Sequence, residues 1–197
     1  MRLFYHIWRI LVKYFMKSTR KQSFMQRLTT ILAIIFVSLS MSQSLHAQEV
    51  KNGLTWYTDV NKAGELSNKT KKPIFAFFTG SDWCGWCHRM QQNVFDKTSF
   101  KEWAKKNVIL LELDFPRNKK LPDELAQQNS GMQNAFKVQG FPTVWLFFMN
   151  KDAATNNISI NALGSLGYPQ SEAGKEDVAF LENANKILTS KEGKEAK

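Results

Sequence analysis

The chain is short of cysteine. Only Cys84 and Cys87 occur in its 197 residues, with two residues between them. A framework of structural disulfides is therefore excluded, and any fold must rest on packing. Acid is missing from one end: residues 1–47 carry seven of the 27 basic residues and no Asp or Glu. The rest holds 20 basic against all 17 acidic residues, so the formal charge of +10 is not spread over a nucleic-acid-binding surface, and no nucleic-acid partner is expected. No internal repeat and no dividing linker is present, so residues 48–189 read as one domain, large enough to bury a core.

The basic end has the pattern of a targeting segment. Arg20, Lys21 and Arg27 precede the apolar run Ile31 to Leu39, and Ala47 closes a small, polar stretch. That run is short for a membrane span. Residues 1–47 are read as an N-terminal extension with a cleavable signal peptide, cut near Ala47, with Met16 or Met25 as alternative starts. The competing reading is an uncleaved membrane anchor over residues 28–42. Either reading predicts a periplasmic or otherwise exported protein, in a compartment where disulfides persist. The tail, 190–197, is polar and expected to be disordered.

Between these ends, strands and helices alternate. Leu54–Tyr57 reads as a short edge strand, and Asp59 as the N-cap of a helix running to about Ser67. Ile74–Phe78 and Val108–Phe115 are apolar enough to be strands buried on both faces. Thr98-Ser99 is expected to cap a short helix. A helix opening at Pro122 is expected to break near Ser130-Gly131. Val144–Phe148 is a third strand, with Ile158–Leu163 as its antiparallel partner. The last helix, Lys175–Thr189, is expected to turn Val178, Leu181, Ala184 and Leu188 inward. This alternation implies an α/β fold.

The two cysteines sit where the strand Ile74–Phe78 delivers the chain to a helix. A helix N-terminus offers unpaired N–H groups and partial positive charge, which favour a thiolate. Cys84 stands at that end and Cys87 one turn inward. Cys84 is the natural attacker in thiol–disulfide exchange, and Cys87 can displace the substrate from the mixed disulfide.

Trp83-Cys84-Gly85-Trp86-Cys87 after an apolar strand resembles the thioredoxin active site. Gly140-Phe141-Pro142-Thr143 before another apolar strand resembles the cis-proline loop of that family. The lead-in Thr79-Gly80-Ser81-Asp82 is similar to exported thioredoxin-like proteins of bacterial thiol–disulfide interchange systems. The resemblance covers roughly residues 54–189. It implies a thioredoxin-like fold with a central mixed β-sheet flanked by helices. It implies a protein disulfide oxidoreductase whose Cys84 and Cys87 form a redox-active disulfide, with Cys84 as nucleophile and Cys87 as resolving thiol. Trp83, Gly85, Trp86, Phe141 and Pro142 would form the substrate-binding surface, Trp83 shielding the turn and Pro142 being cis. The partners would be protein thiols and disulfides, with a membrane partner as electron donor or acceptor.

The chain departs from the family pattern in three places. Trp86 stands where proline is common, which leaves the direction of electron flow open. The buried acid of the preceding strand is replaced by Phe77 or Phe78. Asp82 and Glu112 are candidate substitutes, against their plain readings as a solvated turn residue and a strand-end charge. Residues 115–135 are longer than the thioredoxin equivalent; the favoured reading is a tolerated surface insertion, the alternative a loop that shapes substrate choice. Two rival chemistries use the same cysteines. Cys84 to His88 matches the C-x-x-C-H pattern of covalent haem attachment, but a buried strand feeds the motif and Met90 is too close to be a second ligand. Zinc would need a second ligand pair at suitable spacing. No cofactor and no metal is expected. A non-catalytic binding module on the same scaffold is the other alternative.

Overall fold

The computed structural model describes residues 48–151 and 158–190. The expected leader, 1–47, and nearly all of the expected polar tail lie outside the described residues. Six strands, β1 (Gln48–Lys51), β2 (Leu54–Tyr57), β3 (Ile74–Thr79), β4 (Ile109–Asp114), β5 (Thr143–Lys151) and β6 (Ile158–Leu166), form one sheet in the order β1-β2-β4-β3-β5-β6. β3 runs parallel to β4 and antiparallel to β5, so the sheet is mixed. All six residues of β3 are buried, as its continuous apolar run requires of a strand covered on both faces.

The helices are α1 (Val60–Thr70), α2 (Gly85–Met90), α3 (Thr98–Asn107), α4 (Asp123–Ala135) and α5 (Glu176–Thr189). A π-helical turn, Gln91–Phe95, extends α2. The pleat of β3 splits the core in two. Phe75 and Phe77 point to the face that holds Cys84, Cys87, Met90, Phe95 and Phe180. Ile74, Ala76 and Phe78 point to the other, with Val60, Ala63, Met132 and Phe136. On the first face Phe75, Phe95, Phe100 and Phe180 meet edge-on or tilted, ring centroids 4.7–6.3 Å apart. Such pairs add to the area they bury.

Several expectations are corrected. β2 is not an edge: β1 pairs along its outer side, joined through Asn52 and Gly53. Both of these have positive φ, 51° and 79°, the geometry of a two-residue hairpin turn for which Asn-Gly is the strongest sequence signal. Asp59 caps α1 as expected, its Oδ1 accepting from the N–H groups of Asn61 and Lys62. The helix continues three residues beyond Ser67, to Thr70, before Lys71 turns left-handed (φ 57°). Thr98 and Ser99 do not cap α3. Lys97 takes that position, and the Ser99 hydroxyl instead donates to Asp177. α4 runs through Ser130-Gly131 without a break. One glycine weakens a helix by only about 1 kcal/mol, and the buried neighbours Asn129 and Met132 hold it. In α5, Val178 is exposed, whereas Phe180 and Ala184 face the core with Ile187 and Leu188 against it. Phe180 sets the rotation of the helix, because it is the residue that reaches Phe75.

Candidate active site

β3 ends at Thr79, and a tight turn leads into α2. The N–H groups of Trp83 and Cys84 both reach back to the Gly80 carbonyl, at 3.2 and 2.8 Å. Cys84 is the N-cap residue of α2, in extended conformation, and its Sγ accepts from the Cys87 N–H at 3.2 Å. A donor aimed at this sulfur favours a thiolate there. Cys84 and Cys87 are joined as a disulfide, with Cα atoms 5.2 Å apart. Exposure does not separate attacker from resolver, because Cys84 is 5% and Cys87 2% exposed. Both cysteines lie, as a disulfide, in the core cluster against which Trp83 and Phe141 pack.

That packing comes from both sides of the sequence motif. The Trp83 indole lies flat over Gly80, where a Cβ would fall 2.4 Å from the ring, so glycine is required there. Its Nε1 donates to the Phe115 carbonyl at 2.8 Å, and its ring tilts against Phe141 at 5.9 Å. Phe141 in turn stacks on Phe115 at 5.0 Å. The Phe141–Pro142 bond is cis, as the resemblance implies. Trp86 points outward and is 53% exposed, with Tyr168 edge-on to it at 5.0 Å. Gly85 is exposed with open space above it, so nothing blocks approach over the turn.

The two candidate acids part company. Asp82 is the latch of the basic loop: its carboxylate accepts from the backbone N–H groups of Arg117 and Asn118. The bond from the Arg117 N–H is the largest cause holding its carboxyl below the usual aspartate value; desolvation opposes it, and the Asn118 N–H adds to the lowering. Glu112 is different. It stands beside Phe77 in register on the neighbouring parallel strand, so it shares the sheet face of Phe77 and Cys87. With Phe77, Cys87, His88 and Lys51 it lines an open cleft of about 420 Å³. Its carboxylate accepts from Lys51 Nζ at 2.9 and 2.8 Å. A carboxylate in the same cleft as the inner cysteine can accept its proton through water.

Reading the sequence missed Lys51, Phe115, Arg89, Arg117 and Tyr168 as neighbours of the motif. The Asn52-Gly53 signal would have brought in Lys51. Arg89 stands three residues after Trp86 on the same helix, a spacing that puts the two side by side; Phe115, Arg117 and Tyr168 come from distant segments to which no local pattern points. His88 is exposed, its Nε2 2.8 Å from the Ser81 carbonyl. Haem attachment would need both sulfurs as thioethers, whereas here they are bonded to each other.

A C-x-x-C disulfide closing a central strand, faced by a cis-proline at the start of an antiparallel neighbour, defines a thioredoxin-like protein. The comparisons agree with that fold: a thioredoxin-like family model matches residues 55–148. It is 42% identical over 81 residues to the disulfide bond reductase DsbH of Chlamydia pneumoniae, covering 41% of this chain and 49% of that protein. It is 25% identical over 118 residues to the thioredoxin-related protein DsbJ of the same organism, covering 59% of this chain and 34% of the other. The chain thus spans about half or less of the curated relatives it matches. Among solved structures it is similar to a DsbH oxidoreductase, with a TM-score of 0.57 and 28% identity over 75% of this chain and 90% of the other.

Proposed function

We propose that this chain is a thiol–disulfide oxidoreductase acting on protein disulfides, working in the reductive direction. The observation that carries this reading is the Cys84–Cys87 disulfide at the strand-to-helix turn, with cis-Pro142 preceding Thr143, which pairs with Phe78 near the end of the same strand. In the reduced form, the Cys84 thiolate attacks one sulfur of a substrate disulfide. A Cys84–substrate disulfide forms and one substrate thiolate leaves. Cys87, once deprotonated, attacks Cys84 Sγ and expels the second substrate thiolate. The protein is left with its own disulfide, and two electrons have passed to the substrate. The name of the relative, a disulfide bond reductase, supports the reductive direction.

Dithiothreitol-coupled insulin reduction tests the activity: Cys84→Ser is expected to fall to the uncatalysed rate, and equal rates for variant and parent overturn the reading. The reduction potential tests the direction, a value near about −270 mV fitting a reductase and one near about −120 mV an oxidase. Export and supply of electrons by a membrane partner belong to the same proposal. Their support is the basic-then-apolar pattern of residues 1–47. Recovery of the chain in the cytosolic fraction at its full length would remove that part.

A further inference from the structure

Two arginines flank the dithiol motif, and neither guanidinium has a hydrogen-bonded or ion-paired acid among the described residues. Arg117 lies over the Trp83 ring, its Cζ 3.8 Å from the centroid. Arg89 lies over the Trp86 ring at 4.6 Å. Trp83 immediately precedes Cys84, and Trp86 immediately precedes Cys87. The nearby acids are already engaged. Asp82 is used by the backbone of Arg117 and Asn118, and Asp114 by Ser81 and Lys119. Each arginine is held in place. Asp82 fixes the backbone of Arg117, and Tyr168 backs Trp86 while accepting from Asn93 Nδ2 at 2.9 Å. A guanidinium stacked by its face on an indole keeps its N–H edges free, and those edges match a carboxylate in bidentate fashion. Trp86 is also the one aromatic among the strongly exposed large apolar residues described. Tryptophan and arginine together are the usual anchors of a protein contact.

We propose that this surface selects disulfide-bearing protein segments with carboxylates close to the reacting half-cystine, Arg89 and Arg117 each receiving one. The proposal rests on the oxidoreductase reading and names the substrate class for it. Charge complementarity of this kind acts mainly on the rate of encounter and fades with salt. An acidic flank would otherwise slow the exchange, because it repels an attacking thiolate. A protein preference for acidic flanks is therefore opposite to the intrinsic chemistry.

The test uses the reduced protein and two peptides that differ only in Glu or Gln on both sides of a cysteine, each carrying a thionitrobenzoate mixed disulfide. Attack by Cys84 on the peptide sulfur forms the Cys84–peptide disulfide and expels coloured thionitrobenzoate. The Glu/Gln rate ratio, divided by the same ratio for 2-mercaptoethanol, is expected to be about tenfold at low salt. It should fall close to one in 0.5 M salt and in the double variant Arg89→Gln, Arg117→Gln. The Arg89→Lys, Arg117→Lys variant should recover part of it, because charge is kept while the fork is lost. Taking the ratio within each variant cancels any loss of folded protein. A ratio near one in the parent, or one that survives the Gln variant, overturns the proposal. If neither peptide reacts faster with the parent than with Cys84→Ser, the oxidoreductase reading itself falls, and this surface with it.

Discussion

Lys51 reaches from β1 across β2 to Glu112 on β4, its Nζ within 2.9 Å of both carboxylate oxygens. The pair joins the β1–β2 hairpin to β4, the parallel neighbour of β3. It also places the charge of Glu112, whose side chain is 13% exposed, next to a fixed cation.

The pH dependence of this pair has a definite sign. Burial pushes the Lys51 ammonium down, but Glu112, helped by Glu49, outweighs that and leaves it above its ordinary 10.5. A raised folded-state value means stability fully present below the unfolded value and lost as pH rises through the folded one. Lys51→Met is expected to lower unfolding free energy by about 1 kcal/mol at neutral pH, the ammonium being still about a third exposed and screened by solvent. Urea titrations should show that gap constant from pH 7 to about 10 and closing above it. A gap that widens in alkali contradicts the assignment.

Glu112 should also be felt at Cys87. Glu112→Gln keeps the shape and removes the base, so resolution of a Cys84 mixed disulfide is expected to slow by about tenfold to a hundredfold near pH 7. The difference should shrink at high pH, where solvent deprotonates Cys87 unaided. The initial attack by Cys84 should change much less. Stopped-flow release of the second thionitrobenzoate after mixing with Ellman's reagent separates the two steps. Equal slowing of both, at every pH, would mean that Glu112 only supports the fold.

Gly80→Ala puts a methyl group 2.4 Å from the Trp83 ring, so one of the two must move. The Trp83 indole is fixed by the Phe115 carbonyl and covered by Arg117. The expected cost is about 1–3 kcal/mol, with Trp83 displaced. Thermal unfolding measures the first, and acrylamide quenching in a Trp83→Phe comparison the second. Unchanged quenching would mean that the turn, and not the indole, yields.

Much of this was legible in order along the chain. The all-apolar run of β3 announced a strand covered on both faces, and Cys84 and Cys87 announced their chemistry by spacing together with their place between that strand and a helix. The loop at Phe141-Pro142 was expected from the resemblance to thioredoxin. These signals are local, because burial on both faces and the reach of one helical turn are properties of a few consecutive residues. In α5 Leu181, Ala184 and Leu188 pack inward as expected and only Val178 was misplaced, because Val178 and Phe180 are both apolar and the position of Phe75 decides which turns inward. β1 was missed because its exposed, polar residues carry no core pattern. Its place is set by backbone pairing through the Asn52-Gly53 turn.

The sequence by itself determined a dithiol at a strand-to-helix turn, because that arrangement needs only neighbours along the chain. The tertiary structure alone decided what surrounds it. Lys51 meets Glu112, and Arg117 meets Trp83, across 61 and 34 positions of sequence. Such pairs depend on strand order and on the path of a loop, which no periodicity encodes. The turn holds the two sulfurs, the sheet sets Glu112 and Lys51 in the cleft that Cys87 lines, and the loop after β4 brings Arg117 onto Trp83.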